Sequence, residues 1–421
     1  MNIWTLAILT GISFQILLET WAEVLNFRHT GREIPAPFRG VYDPARYGAA
    51  KAYLHAKTRL GWTVRGLGVA ALLLFWFGAG FDHLDMALRK PQLGPVSCGL
   101  LYVGALLLAL SIGALPFDLY RTFGIEARFG FNRTDLRTFF TDRLKSAFLL
   151  VILGGPLLAG VLYFFEYFGV RAWLWAWVAA GCFTLCVQFV APVWLLPLFN
   201  RFAPLESGPL RSAILEYAKR IGFALNNIVV MDGSRRSSKS NAFFTGLGKN
   251  RRIVLFDTLI TRHGVSELVA VLAHEMGHYR MRHVAVRMVT GIVHTGVLLF
   301  LLGIVISDSR LFEAFYMTHE STYAGLVFFS ILFGPVNFFA GIAIHWISRR
   351  QEYAADRFAA RTTGDSRSLI GALKRLSVDN LSHLEPHEFY VALNYSHPPV
   401  LSRIQALERM GTSELEQAGR V

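Results

Sequence analysis

The segment Glu267 to Tyr279, ELVAVLAHEMGHY, holds the residue types best suited to chemistry in this 421-residue chain. Leu268, Val271, Leu272 and Met276 recur near helical period, so His274 and His278 lie one turn apart on one helix face. That separation lets two imidazoles hold a single tetrahedral Zn²⁺, and Glu275 beside them is placed to contact water at the metal. A chance H-E-x-x-H in a chain of this composition has a frequency of about 1 to 2%. A catalytic zinc also needs a third protein ligand and an open position. Glu352, within Ser348 to Asp356 (SRRQEYAAD), is the candidate, because it lies about one turn beyond the last apolar span. Asp356, four residues on, shares its face and is placed to hold a ligand histidine through the second ring nitrogen. The plain alternative is a surface helix whose Arg349, Glu352 and Asp356 form solvated ion pairs.

Other histidines compete for the ligand role. His283, five residues after His278, points to another face of a continuous helix and reads as an interfacial residue. His383 and His387 are also four apart, but Pro386 between them disfavours a regular helix. His294, Asn337 and His345 fall inside apolar spans, where polar groups line a cavity or meet a partner helix. His397, before Pro398-Pro399, reads from the residues alone as a capping or loop histidine.

The elements that position these residues are mostly apolar. The chain is 53% hydrophobic and 17% charged, with mean hydropathy +0.40, against about 25% charge in soluble domains. Composition therefore indicates an integral membrane protein. It excludes disorder and a collagen-like fibre, and three cysteines exclude a disulfide scaffold. Cys98, Cys182 and Cys186 sit in apolar runs and read as small packing residues.

Seven segments approach the roughly 20 residues needed to cross a bilayer: Ile3 to Leu25, Thr63 to Phe81, Ser97 to Phe117, Ala147 to Phe168, Ala172 to Leu196, Val284 to Ile306 and Thr322 to Ile347. The N-terminus lacks a cationic leader and an A-x-A-like cleavage site, so the first reads as a retained helix. Glu19 and Glu23 near its end are expensive in lipid and should face the protein interior.

The formal charge of +13 is distributed unevenly. Arg28, Arg32, Arg39, Arg46, Lys51, Lys57 and Arg59 crowd the first connection, and Arg121, Arg128, Arg133, Arg137, Arg143 and Lys145 the third. The alternate connections carry only Arg89 with Lys90, Arg171, and Arg310. By the positive-inside rule the first, third and fifth connections and the C-terminal tail, with the zinc site, are cytoplasmic, and the N-terminus is outside or lumenal. A nucleic-acid partner is excluded, since no contiguous basic stripe with interleaved aromatics exists.

The chain divides into 1–196, spans one to five with their loops; 197–283, the first part of a polar domain with the H-E-x-x-H helix; 284–347, spans six and seven; and 348–421, the rest of that domain with the candidate third ligand. The first polar part opens with a Pro-bounded turn, followed by an amphipathic helix from Ser207 to about Ile221 and a β-like run, Ile228 to Met231. Asn241 to Leu247 and Ile253 to Phe256, separated by Gly and basic residues, suggest a small β-hairpin. No internal repeat is present.

Four motifs together carry a family resemblance: SNAFFTGLGKNRRIVLFDTLI (Ser240 to Ile260), AHEMGHY, SRRQEYAAD and SHPPVLSR (Ser396 to Arg403). They resemble the CAAX prenyl protease 1 family of membrane-embedded zinc endopeptidases. The similarity extends over nearly the whole chain, including FGFNRT after Arg128 and PLFNRF from Pro197.

The resemblance implies an all-α polytopic membrane protein whose seven helices form a barrel around an intramembrane chamber, with a cytoplasmic gluzincin-like zinc protease domain. It implies one Zn²⁺ per chain held by His274, His278 and Glu352, with Glu275 as acid/base. Carried over by motif, His397 and Arg403 flank the catalytic centre, and Asn241 with Ala242 lie on the strand that pairs with substrate backbone. Lys239 departs from the pattern, standing where many relatives are expected to carry a histidine.

The expected reaction is hydrolysis of peptide bonds near the C-terminus of CAAX-type, possibly prenylated, or other membrane-associated proteins. The alternative within proteases is a membrane quality-control enzyme with no prenyl requirement. A secondary transporter would show broken helices or repeated halves, and a structural zinc protein a closed, Cys-rich site. The membrane is a bacterial inner membrane or, in a eukaryote, the endoplasmic reticulum. Oligomeric state is not legible.

Overall fold

The computed structural model describes residues 2–31, 33–225, 227–245 and 252–418. Arg32 of the first connection, and Gly246 to Arg251 of the expected hairpin loop, lie outside the described residues. Among the described residues seven helices are long and apolar enough to cross a membrane: Ile3–Arg28, Pro44–Phe77, Pro95–Glu126, Leu136–Tyr167, Gly169–Phe199, His283–Val305 and Thr322–Thr363. Each overlaps one expected span. In lipid every backbone group must be satisfied internally, which is why uninterrupted apolar runs fold this way.

The second helix starts well before its apolar part, at Pro44, where Asp43 caps it by accepting a hydrogen bond from the Arg46 amide. It stops at Phe77 rather than Phe81, because Gly78 and a left-handed Ala79 (φ 53°) turn the chain into a separate helix, Gly80–Arg89. Each span packs on the next in chain order, and the seventh packs on the first, closing a ring. Glu23 is paired inside it: Arg65 of the second span donates two hydrogen bonds at 2.9 and 2.7 Å, and Trp62 Nε1 donates a third at 2.7 Å. Glu19 lies 3.4 Å from the same guanidinium.

Only Cys98 fits the packing role expected of the three cysteines. Cys182 and Cys186, in the fifth span, are exposed. In an all-apolar helix the sequence does not mark which face meets lipid.

The seventh helix has 42 residues, so at 1.5 Å per residue it is about 63 Å long, twice a hydrocarbon core of about 30 Å. Its last turns must stand outside the bilayer. The C-terminal helices that pack on it meet the cation-rich segments. Phe38, Tyr47 and Tyr53 of the first connection, Ile125 and Phe131 of the third, and Leu381, Leu384 and Ile404 of the C-terminal part bury one another in one core. Arg133 N donates to Arg236 O at 3.1 Å, tying the third connection to the fifth.

The expected amphipathic helix is Pro209–Arg220. The sheet is larger than a hairpin. Strands β1 (Phe202–Pro204), β2 (Asn227–Met231), β3 (Ala242–Thr245) and β4 (Arg252–Phe256) form one sheet in the order β1-β2-β4-β3. β3 and β4 are the antiparallel hairpin, with Ala242 opposite Leu255. β2 joins parallel to β4, and three-residue β1 caps the far edge. Among the described residues no strand pairs with the outer edge of β3. Leu268, Leu272 and Met276 of the helix Val265–Arg280 share one core with Ile253 and Leu255 of β4 and with Leu259 just beyond it.

Candidate metal centre

The helix Val265–Arg280 begins with Glu267 Oε2 accepting the Gly264 amide at 3.2 Å, a cap that fixes its first turn. It is pressed against the later half of the seventh helix. At Gly277 a β-carbon would sit 3.0 Å from Phe358 Cδ1, so glycine permits that approach. The helix ends at Arg280, and Arg282 adopts the left-handed conformation (φ 59°) before the sixth span starts at His283.

This packing brings three expected residues together. His274 Nε2 lies 3.2 Å from His278 Nε2 and 3.4 Å from Glu352 Oε2, and His278 Nε2 lies 3.2 Å from Glu352 Oε1. All three residues are buried, and they are the only such ligand cluster found among the described residues. Tetrahedral zinc with bonds of about 2.0–2.1 Å has ligand-to-ligand edges of about 3.3 Å. Two nitrogens and a carboxylate at that spacing fit a metal cation.

His274 is held from its outer nitrogen as well. His274 Nδ1 donates to Asp356 Oδ1 at 2.9 Å. Arg403 holds Asp356 in turn, through Nε to Oδ2 at 2.8 Å and Nη2 to Oδ1 at 2.6 Å. Burial works against charge on His274, but its hydrogen bonds to Asp356 and Glu352 prevail and lift its pKa to about 9. Arg403 also approaches Glu352, with Nη1 3.7 Å from Oε2.

The remaining expected residues surround the cluster. Glu275, His397, Arg403, Asn241 and Ala242 line one cavity of about 440 Å³ together with the three candidate ligands. Burial raises the Glu275 carboxyl, against the pull of His274 and His278. His397 Nε2 lies 3.4 Å from Glu352 Oε1, on a side chain that is 65% exposed. Asn241 Oδ1 accepts the Ala242 amide at 2.9 Å, and the Asn241 carbonyl accepts the Phe256 amide at 3.1 Å, which sets the start of β3 beside the cavity.

His283 is the residue the sequence reading missed. Its Nδ1 lies 2.9 Å from His278 Nδ1. A continuous helix would have carried it to another face, but the break at Arg282 swings it back. The other histidines remain apart: His387 stacks edge-on against His29 at 5.4 Å, and its amide donates to Asn26 Oδ1 at 3.0 Å. His294, Asn337 and His345 do not line the cavity around the candidate ligands. Lys239 donates to Tyr53 Oη at 2.8 Å and to Glu126 Oε2 at 2.9 Å, anchoring the loop before β3 to the second and third spans.

Comparison with known proteins agrees with this architecture. Residues 23–201 match the family described as CAAX prenyl protease N-terminal, five membrane helices, and residues 204–411 match Peptidase family M48. The CAAX prenyl protease 1 homolog of Arabidopsis thaliana is 32% identical over 95% of this chain and 97% of its own. The chain belongs to the CAAX prenyl protease 1 family. Another member, CAAX prenyl protease 1 of Saccharomyces cerevisiae, is 33% identical over 77% of this chain and 75% of its own. The crystal structure of S. mikatae Ste24p superposes with a TM-score of 0.88 at 30% identity, covering 97% of this chain and 99% of that one. Family membership, the seven spans and the His-His-Glu cluster make this chain a multi-pass membrane metalloendopeptidase.

Proposed function

We propose that the protein is a zinc endopeptidase that cleaves near the C-terminus of CAAX-type substrates, and that His274, His278 and Glu352 hold one zinc ion. The observation that carries this reading is the convergence of three donor atoms at 3.2–3.4 Å beside Glu275. Zinc bound there supplies a Lewis acid that polarises a carbonyl and acidifies water toward a pKa of about 7.

The chain's own residues do the rest. Glu275, made more basic by burial, accepts the attacking water's proton and passes it to the leaving amine. His397, exposed toward the cavity, donates to the developing oxyanion. Arg403, engaged with Asp356, keeps the His274 tautomer fixed and adds positive charge behind Glu352. Substrate lies extended along the free edge of β3, where Asn241 and Ala242 contact its backbone. The meeting of the cation-rich connections on the metal side supports a cytoplasmic active site with the N-terminus outside or lumenal. The likeness to CAAX prenyl proteases supports a CAAX substrate.

The test is cleavage of matched peptides with and without a C-terminal isoprenoid by purified, zinc-loaded protein, read by mass spectrometry. The proposal expects preference for the prenylated peptide, and a Glu275→Gln variant that retains about one zinc yet loses cleavage by 10² or more. Equal cleavage of both peptides would favour the quality-control reading. Undiminished turnover in zinc-replete Glu275→Gln would refute the role of Glu275.

A further inference from the structure

We infer that His283 is a positioning residue for the metal centre, accepting the Nδ1 proton of His278 and so fixing that ring's tautomer and orientation. This inference rests on the reading of His278 as a metal ligand. His278 turns Nε2 toward His274 Nε2 and Glu352 Oε1, each 3.2 Å away, so Nε2 must offer the lone pair and Nδ1 must carry the proton. That Nδ1 faces His283 Nδ1 at 2.9 Å, with ring planes at 67° and both residues under a tenth exposed.

Two ring nitrogens at this distance share one proton, one as donor and one as acceptor. If His283 were the donor, His278 would carry its proton on Nε2, aimed at the ligand cluster, and no lone pair would remain there. His283 therefore accepts at Nδ1 and keeps its own proton on Nε2. It is not a fourth ligand, because its near nitrogen is engaged with the side of His278 that faces away from Glu352.

The two candidate ligand histidines are thus supported differently. His274 leans on Asp356, from a residue 82 positions later (356 − 274). His278 leans on a neutral imidazole five positions later (283 − 278), reached because Arg282 (φ 59°) ends one helix and starts the next at a new angle. Partners of this kind set ligand basicity, and their removal costs about 10–100-fold in metal affinity.

The test uses full-length protein in detergent, with zinc titrated against a chromophoric chelator. His283→Ala is expected to bind zinc 10–100-fold more weakly. His283→Asn, whose Oδ1 can accept the same proton, is expected to recover much of that loss. Thermal unfolding in excess chelator should match wild type in both, and the visible spectrum of the cobalt(II)-loaded protein should shift in His283→Ala alone. Affinity of His283→Ala within about twofold of wild type overturns the inference, as does a loss that His283→Asn does not reduce. Wild-type protein that takes up no zinc overturns the metal reading and this inference together, whereas tight wild-type binding with His283→Ala unchanged overturns this inference alone.

Discussion

Asp85 and Glu352 are both deeply buried carboxylates bound to the seventh helix, one near each of its ends, yet they do different work. Asp85 is fully covered and surrounded by donors: Arg89 Nε contacts it at 2.6 Å, and the Tyr323 hydroxyl donates to it. Tyr323 in turn accepts from Cys98 Sγ at 3.4 Å. The charge is answered within the protein. Glu352 instead lies against ring nitrogens of His274 and His278 at 3.4 and 3.2 Å, with its nearest guanidinium at 3.7 Å. Two imidazole nitrogens and a carboxylate oxygen at this spacing form a donor set that can hold a cation. Burial of an acid therefore does not mark a metal site; the kind of neighbour does.

The comparison can be broken by exchanging the two acids for neutral amides. Glu352→Gln should give the largest effect, with zinc content falling far below one equivalent and cleavage dropping to the no-enzyme level. Stoichiometric zinc in that variant would remove the distinction. Asp85→Asn should do the reverse. Zinc content and cleavage per folded molecule should stay at wild-type levels, while thermal unfolding in the same detergent reveals a stability loss of about 1–3 kcal/mol, from a buried hydrogen-bond network left partly unmatched. Loss of zinc in Asp85→Asn would mean that the two ends of the helix are coupled.

The smallest effect belongs to the turn that brings His283 to the metal side. A non-glycine residue in the left-handed region costs about 1–2 kcal/mol, so Arg282→Gly should leave zinc affinity unchanged and raise the unfolding temperature slightly. A weakened zinc site in Arg282→Gly would show that the arginine side chain itself matters there.

Much of this was legible in the sequence because the relevant signals are periodic or local. Seven apolar runs marked the spans, and His274 and His278 one turn apart marked two donors. What was not legible depends on where the chain bends. The exposure of Cys182 and Cys186, the joining of β1 and β2 to the hairpin, and the Ala79 turn that ends the second span early all follow from tertiary packing. His283 shows this most sharply: i+5 spacing assigns it to a different face, and a left-handed Arg282, a conformation with no residue-type signature here, reverses the assignment. Lys239 was visible as a departure from the family pattern, but its partners Tyr53 and Glu126 come from segments far away in the chain.

The most direct test is anomalous diffraction at the zinc edge on crystals of the zinc-loaded protein. The account predicts one strong peak about 2.0–2.2 Å from His274 Nε2, His278 Nε2 and a Glu352 oxygen. A map with no peak between these three side chains, or with its peak at another site, would contradict it.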